Sequence, residues 1–337
     1  VFWINFPIAL ISIILAISSV PTWRRREKLN IDYLGFFISV IFISGFVLGF
    51  MEAPNWGWTS LPIMGLFLLS IISLITFIGW EKKIPHPLVE LTLFKNLTFT
   101  TLFSVLLIIQ AVAIVFVFLA IFLQNVLHYS PLMAGLLLLP AMVPIMLMAP
   151  VGGHLRDKYG PTLPMFCGAL LVVLSLIWIA IFSHNRGYAW LFPGLLVYGI
   201  GMPLILSGIM ATVMNMVNAQ QRGMASAIFN CARQFGNTIG LALLTGLLAS
   251  VNKWQLNSFL HHSPVPLSRL KEQQIDGLLV QSDQAMKAIA HLSLAHIELL
   301  KTAALNAYTN AFSMTLLAAA ILAFLSLFLI LKIPRKQ

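Results

Sequence analysis

The sequence predicts an all-α polytopic membrane protein, and three observations predict it. Apolar runs recur along the whole chain, each close to the ~20 residues a helix needs to cross a bilayer. Only 9% of its 337 residues are charged, against about 25% in a soluble domain. The basic residues behind a formal charge of +10 sit mostly in the short segments between the runs. In a soluble protein such a charge would suggest nucleic acid. Here membrane topology accounts for it, and no nucleic-acid partner is expected.

Nine spans are expected. The first covers 2–20 and is followed by the basic run Arg24, Arg25, Arg26, Lys28. The second covers 33–50, with Asp32 placed to cap it. Trp56 and Trp58 in the next loop suit an interfacial belt, and the third span covers 61–80. In the polar connection 81–98, Leu88, Leu91 and Phe94 recur every three residues, which suits a short helix lying on the interface. Spans four to seven cover 99–122, 133–151, 162–182 and 190–214, with a bend expected at Gly199, Gly201 and Pro203. Span eight covers 224–249, an outer loop 250–303, and span nine 304–331.

Nine spans place the two ends on opposite faces. Thirteen of the twenty basic residues then collect on one face, and the short loops of the other hold only Arg186. By the positive-inside rule the C-terminus is cytoplasmic and 250–303 lies outside.

Between spans five and six lies the polar stretch Gly152 to Pro161, expected as a tight turn at a water face. Asp157 is placed there to cap span six or to pair with a cation, Arg222 being one choice. The stretch resembles the loop motif of the major facilitator superfamily, G-x-L-a-D-r-x-G-r-k, through Gly153, Leu155, Asp157, Lys158 and Gly160, with Arg156 between them. Pro161 and Thr162 stand where that motif ends on two basic residues.

Further stretches resemble the superfamily's 14-helix drug:proton antiporter branch (multidrug export protein B-like). They are 2–8, 86–96, Leu123-Gln124, 130–135 with Leu139-Pro140, and 233–240, in the order that branch would have them. The resemblance implies a partial major facilitator fold of about nine transmembrane helices, with the first five helices absent. Residues 1–20 would be the last helix of an N-terminal bundle. Residues 21–98 would be a linker with two inserted helices and an interfacial segment. Residues 99–337 would be the C-terminal six-helix bundle with its outer loop. The implied function is proton-driven export of lipophilic or amphipathic compounds across the bacterial inner membrane. The gating motif would be Gly153, Leu155, Arg156, Asp157, Lys158 and Gly160. A non-transporting scaffold or inactive remnant is the alternative.

Within span eight, Ser226, Asn230, Arg233, Gln234 and Asn237 follow three- and four-residue steps and share a helix face. They line a substrate path or form a hydrogen-bonded packing cluster. Beside them Ala232, Gly236 and Gly240 make a small-residue face suited to helix packing. Gln110 in span four would line the same cavity or bond within a helix contact. No H-E-x-x-H, G-x-S-x-G or interior carboxylate pair occurs, so no enzyme, catalytic residue or cofactor is expected. His261, His262, His291 and His296 are spread over the outer loop and do not make a metal site. Leu278, Leu279, Met286, Ile289, Leu292 and Ile297 suggest an amphipathic helix there, docking a periplasmic adaptor or lying on the bilayer.

The charge asymmetry is testable by labelling. With Cys167 and Cys231 replaced by serine, an impermeant thiol reagent on intact cells should label Ser258→Cys and spare Lys158→Cys. The opposite pattern would invert the topology.

Overall fold

The computed structural model of the chain describes residues 5–19, 32–85, 87–262 and 294–333, and every regular element in them is helical. Helix α1 spans Asn5–Ser19. Helix α2, Tyr33–Trp56, starts on Asp32, whose carboxylate accepts a hydrogen bond from the Gly35 amide at 2.9 Å. It stops at Gly57, whose φ of 89° favours glycine. Helix α3, Leu61–Glu81, opens with a proline in its first turn. The connection expected to form an interfacial helix holds only a 3-10 turn, Leu91–Lys95, whose three-residue period matches the spacing of its apolar side chains.

Helix α4 is Leu97–Ala113, capped by the Asn96 carboxamide oxygen, and α5 is Val115–Asn125. Together they make one span, interrupted at Ile114. Helices α6, Pro131–Leu137, and α7, Leu139–Tyr159, make the next, interrupted at Leu138. Then come α8, Thr162–Phe182, α9, Tyr188–Met216, α10, Arg222–His262, and α11, Leu294–Leu331. Among the described residues eight stretches are long and apolar enough to cross a membrane, and α1 adds a shorter apolar helix, 9–19.

Several boundaries differ from expectation. Helix α9 continues unbroken through Gly199, Gly201 and Pro203. Its glycines serve close packing. A Cβ on Gly201 would stand 2.7 Å from the Gly168 carbonyl oxygen, and one on Gly168 2.6 Å from that of Gly201. Helix α10 runs 13 residues past Ala249, and α11 starts ten residues before Ala304, so much of the expected outer loop is helical. The residues at 263–293, including His291 and Leu278 to Leu292, lie outside the described residues.

Helices α8 and α9 share the most extensive contact. Helix α7 packs on α9, α11 on α8, α10 and α4, and α4 on α10. The α2–α3 hairpin docks on this bundle through α2 and α10. The Phe122 and Phe312 rings stack at 4.5 Å, and Phe99 meets Phe229 edge-on at 5.3 Å. Hydroxyls tie helices to backbone carbonyls: Ser175 to Gly194 at 2.7 Å, Ser313 to Ala180 at 2.8 Å and Tyr188 to Leu137 at 2.8 Å.

A close backbone seam lies between α4 and α10. A Cβ on Gly240 would stand 2.5 Å from the Ala111 Cα, whereas one on Gly246 meets nothing within 4 Å. Gly240→Ala should therefore destabilise the purified protein by about 1–3 kcal/mol. Gly246→Ala should be neutral or add up to about 1 kcal/mol. Thermal unfolding in detergent checks the contrast.

Candidate functional site

The polar stretch 152–161 is not a loop. Its charged residues occupy the last turns of α7, and the turn itself is only Gly160-Pro161. Nothing from His154 to Tyr159 breaks a helix, and glycine only weakens one by about 1 kcal/mol. Gly152 lets α7 lie directly on α9, since a Cβ there would overlap the Ser207 hydroxyl and stand 3.2 Å from the Pro203 oxygen. Gly153 has open space around it. Gly160 ends the helix with φ of 78°, its amide bonding the Arg156 carbonyl at 2.8 Å.

Asp157 neither caps α8 nor reaches Arg222. The α8 N-cap is Pro161, with no side-chain cap, and Asp157 accepts from the neighbouring Arg156, whose Nε lies 2.9 Å away and whose Nη2 also bonds it. Adjacent positions at a helix end bring these chains together before a more distant partner can compete. Lys158 sits over the Tyr159 ring, 5.2 Å from its centre. Leu155 is half-buried beside them.

Helix α10 presents three faces. Ala232, Gly236 and Gly240 are buried against α4. Gln110 lies in this seam rather than on a cavity wall, its Cβ 2.9 Å from where a Cβ on Gly236 would stand. Asn230, Arg233 and Gln234 are exposed, with Asn237 and Ser226 half-buried. No described residue pairs with Arg233. Asn230 and Gln234 also border a small cleft of about 220 Å³ shared with Ile43 and Val47 of α2. The predicted residues thus fall in three places: the α7 end, the exposed ridge of α10, and the α4–α10 seam.

The third face of α10, with Ala227, Ile228, Cys231 and Phe235, walls an apolar cavity of about 590 Å³. Helices α2 and α3, the connection at 88–94, and Phe103 and Leu107 of α4 complete it. Sequence reasoning missed the burial of Glu81 by assigning it to the polar connection. It is the last residue of α3 and only 4% exposed. The available signal was its spacing of four and three residues from Phe77 and Ile78, which puts it on their helix face.

Residues 1–241 match the family model of the Major Facilitator Superfamily. The multidrug resistance protein Stp of Mycobacterium tuberculosis is 28% identical over 271 residues, which are 80% of this chain and 50% of that protein. The tetracenomycin C resistance and export protein of Streptomyces glaucescens is 27% identical over 257 residues, 74% of this chain and 47% of that one. The multidrug transporter protein MdtP of Bacillus subtilis is 24% identical over 98% of this chain and 64% of its own. The chain spans about half the length of the first two. In structure it is similar to an inward-facing, occupied bacterial homolog of the human lysosomal transporter Spinster. That match has a TM-score of 0.53 at 14% identity and covers 87% of this chain and 66% of the other, a likeness of fold.

The faces of α10 separate the effects of neighbouring substitutions. Arg233→Gln, on the exposed ridge, should change stability by no more than about 0.5 kcal/mol. Ala232→Leu, in the seam, should cost about 1–3 kcal/mol by overpacking. Thermal midpoints of the two purified variants in one detergent decide between them.

Proposed function

The chain belongs to the Major Facilitator Superfamily, and from that premise we propose that it works in proton-driven export of lipophilic or amphipathic compounds. The names of its relatives, which include multidrug resistance and antibiotic export, support this reading. We assign its helices to the C-terminal part of the 14-helix drug:proton antiporter branch. Residues 1–20 then belong with an N-terminal bundle, 21–98 form the linker with its inserted hairpin, and 99–337 form the second bundle. The membrane is the bacterial inner membrane, with the C-terminus in the cytoplasm and 250–303 facing a periplasmic adaptor.

The observation that carries the proposal is the exposed ridge Asn230, Arg233 and Gln234 on a helix whose other faces are packed or apolar. Arg233 lies eleven residues into α10, about 16 Å along it at 1.5 Å per residue. A cation left in hydrocarbon at such a depth costs about 2.5–3.5 kcal/mol or more. The ridge is therefore the wall of a polar path, and the substrate passes along it as two bundles rock about a midplane site. The pair Arg156 and Asp157 at the end of α7 acts where that path closes.

The test uses the full product of the gene in an efflux-deficient bacterium. Ethidium should leave energised cells, and a protonophore should stop it. Arg233→Gln should slow efflux by about tenfold, the size of one lost charge-assisted hydrogen bond, at normal protein level. Asp157→Asn should slow it with insertion intact. Efflux indifferent to the protonophore would overturn the proton-driven reading. Normal efflux of several substrates by Arg233→Gln would remove that residue from the path.

A further inference from the structure

The α2–α3 hairpin does not close on the bundle along its whole length. Between them lies the apolar cavity of about 590 Å³. Its α10 wall runs from Met224 to Ile239, fifteen residues apart, about 22 Å at 1.5 Å per residue. One end lies at the connection, with Leu88, Val89, Leu91 and Phe94, where the Glu90 amide meets the Met224 sulfur at 3.0 Å. Deeper in, Phe42 and Phe46 of α2 meet Phe235, at 5.7 and 5.2 Å between ring centres. Ala227 and Cys231 on the wall are exposed, so the cavity is a groove open along one side. Helices α2, α3 and α10, which frame it, are all long and apolar enough to cross the membrane.

The wall and the rim together say what fills the groove. No wall residue is charged, and the one wall hydroxyl, on Ser39, already donates to the Phe36 carbonyl at 2.7 Å. A polar body would give up its hydrogen bonds to water and find none there. Methylenes lose nothing, and they restore the dispersion contacts that a bare groove forfeits. The rim at the connection end is cationic. Lys95 follows Phe94, Arg222 precedes Met224 by two residues, and Lys82 and Lys83 come one turn after Ile78. All four are exposed, and the single ion pair among the described residues is Arg156–Asp157. The acids of that end have other partners. Glu81 is buried and accepts from the Val89 amide, Asp32 from the Gly35 amide and the Trp80 indole, and Glu90 from Thr92 and Gln221.

We propose that the groove holds one acyl tail of an anionic phospholipid, whose phosphate lies among Lys82, Lys83, Lys95 and Arg222. One leaflet supplies about 15 Å of hydrocarbon, half of a core about 30 Å thick. A groove of about 22 Å therefore takes a tail from the headgroup level to the midplane. Lipid tails are as apolar as the wall, so the hydrophobic effect adds little to this exchange. Preference comes from the rim instead, where each basic residue near the surface favours an anionic headgroup by about fivefold. The lipid wedges the hairpin against α10 and completes a contact that the protein's own side chains leave open. The site does not depend on the chain exporting anything.

Cys231 on the wall reports occupancy. Cys167→Ser leaves it the only thiol of the chain. With this protein purified in a mild detergent, dioleoyl phosphatidylglycerol should slow its alkylation by N-ethylmaleimide saturably. Half the effect should come at a mole fraction at least about fivefold lower than with dioleoyl phosphatidylcholine or dioleoylglycerol, which share the tails. Replacing Lys82, Lys83, Lys95 and Arg222 together by glutamine should bring phosphatidylglycerol to the level of phosphatidylcholine. Native mass spectrometry reads the same site without the thiol. The unmodified chain should retain one phosphatidylglycerol on leaving the micelle, and Ala227→Trp, which fills the groove and leaves the rim intact, should lose it. Equal protection by all three lipids would assign the groove to apolar compounds at large and overturn the proposal. Retention that survives Ala227→Trp in folded protein would put the lipid on surface charge alone, and no retained lipid would leave the groove without one. Either result overturns it as well.

Discussion

Inside a bilayer, apolar helices gain nothing by hiding from water, so the assembly depends on how closely backbones can approach. This chain meets that constraint with glycine. Gly168 and Gly201 face each other across α8 and α9, each leaving no room for a side chain on the other. Gly236 and Gly240 let α10 lie on the carbonyls of α4, and Gly152 lets the end of α7 rest on α9. Hydroxyl-to-carbonyl bonds such as Ser175 to Gly194 add direction where the surfaces meet. The same close seams leave little freedom for the helices of the bundle to slide past one another.

This packing places the chemistry. Because α10 gives one face to α4 and another to the cavity, its remaining face carries the amides and Arg233. A slip of one residue along the helix would turn each face by about 100° and bring the polar ridge into the seam. Gly236 and Gly240 oppose such a slip because larger neighbours cannot take their places. The α2–α3 hairpin is held more lightly. Its contact with the bundle runs chiefly through α2, and aromatic rings such as Phe42, Phe46 and Phe235 mediate it.

The spans were legible in the sequence because apolar length reflects bilayer thickness directly. The Asp32 cap was legible for a local reason, since a cap needs only a short side chain before an apolar run. The polar stretch after Val151 misled for the opposite reason. Charge marks a water boundary, but it does not stop a helix, and only Gly160 does so here. The extensions of α10 and α11 past their apolar segments escaped notice in the same way. Glu81 escaped because a carboxylate after an apolar run reads as the start of a loop. Its burial depends on the fold of the 88–94 connection, which brings the Val89 amide back onto it.

Helix α10 has 41 residues and α11 has 38, about 60 Å of rod apiece against a hydrocarbon core of about 30 Å. Asn310, near the middle of α11, donates to the Gln255 carboxamide of α10 at 2.9 Å, and His184 and Arg186 of the α8–α9 turn bond Asn310 and Asn306. The braced pair forms a handle continuous with the helix that carries Arg233. A tilt of α10 within the lipid is thus amplified at its protruding end. A spin label or antibody fragment gripping that end would follow, or arrest, a movement whose origin no aqueous probe can touch.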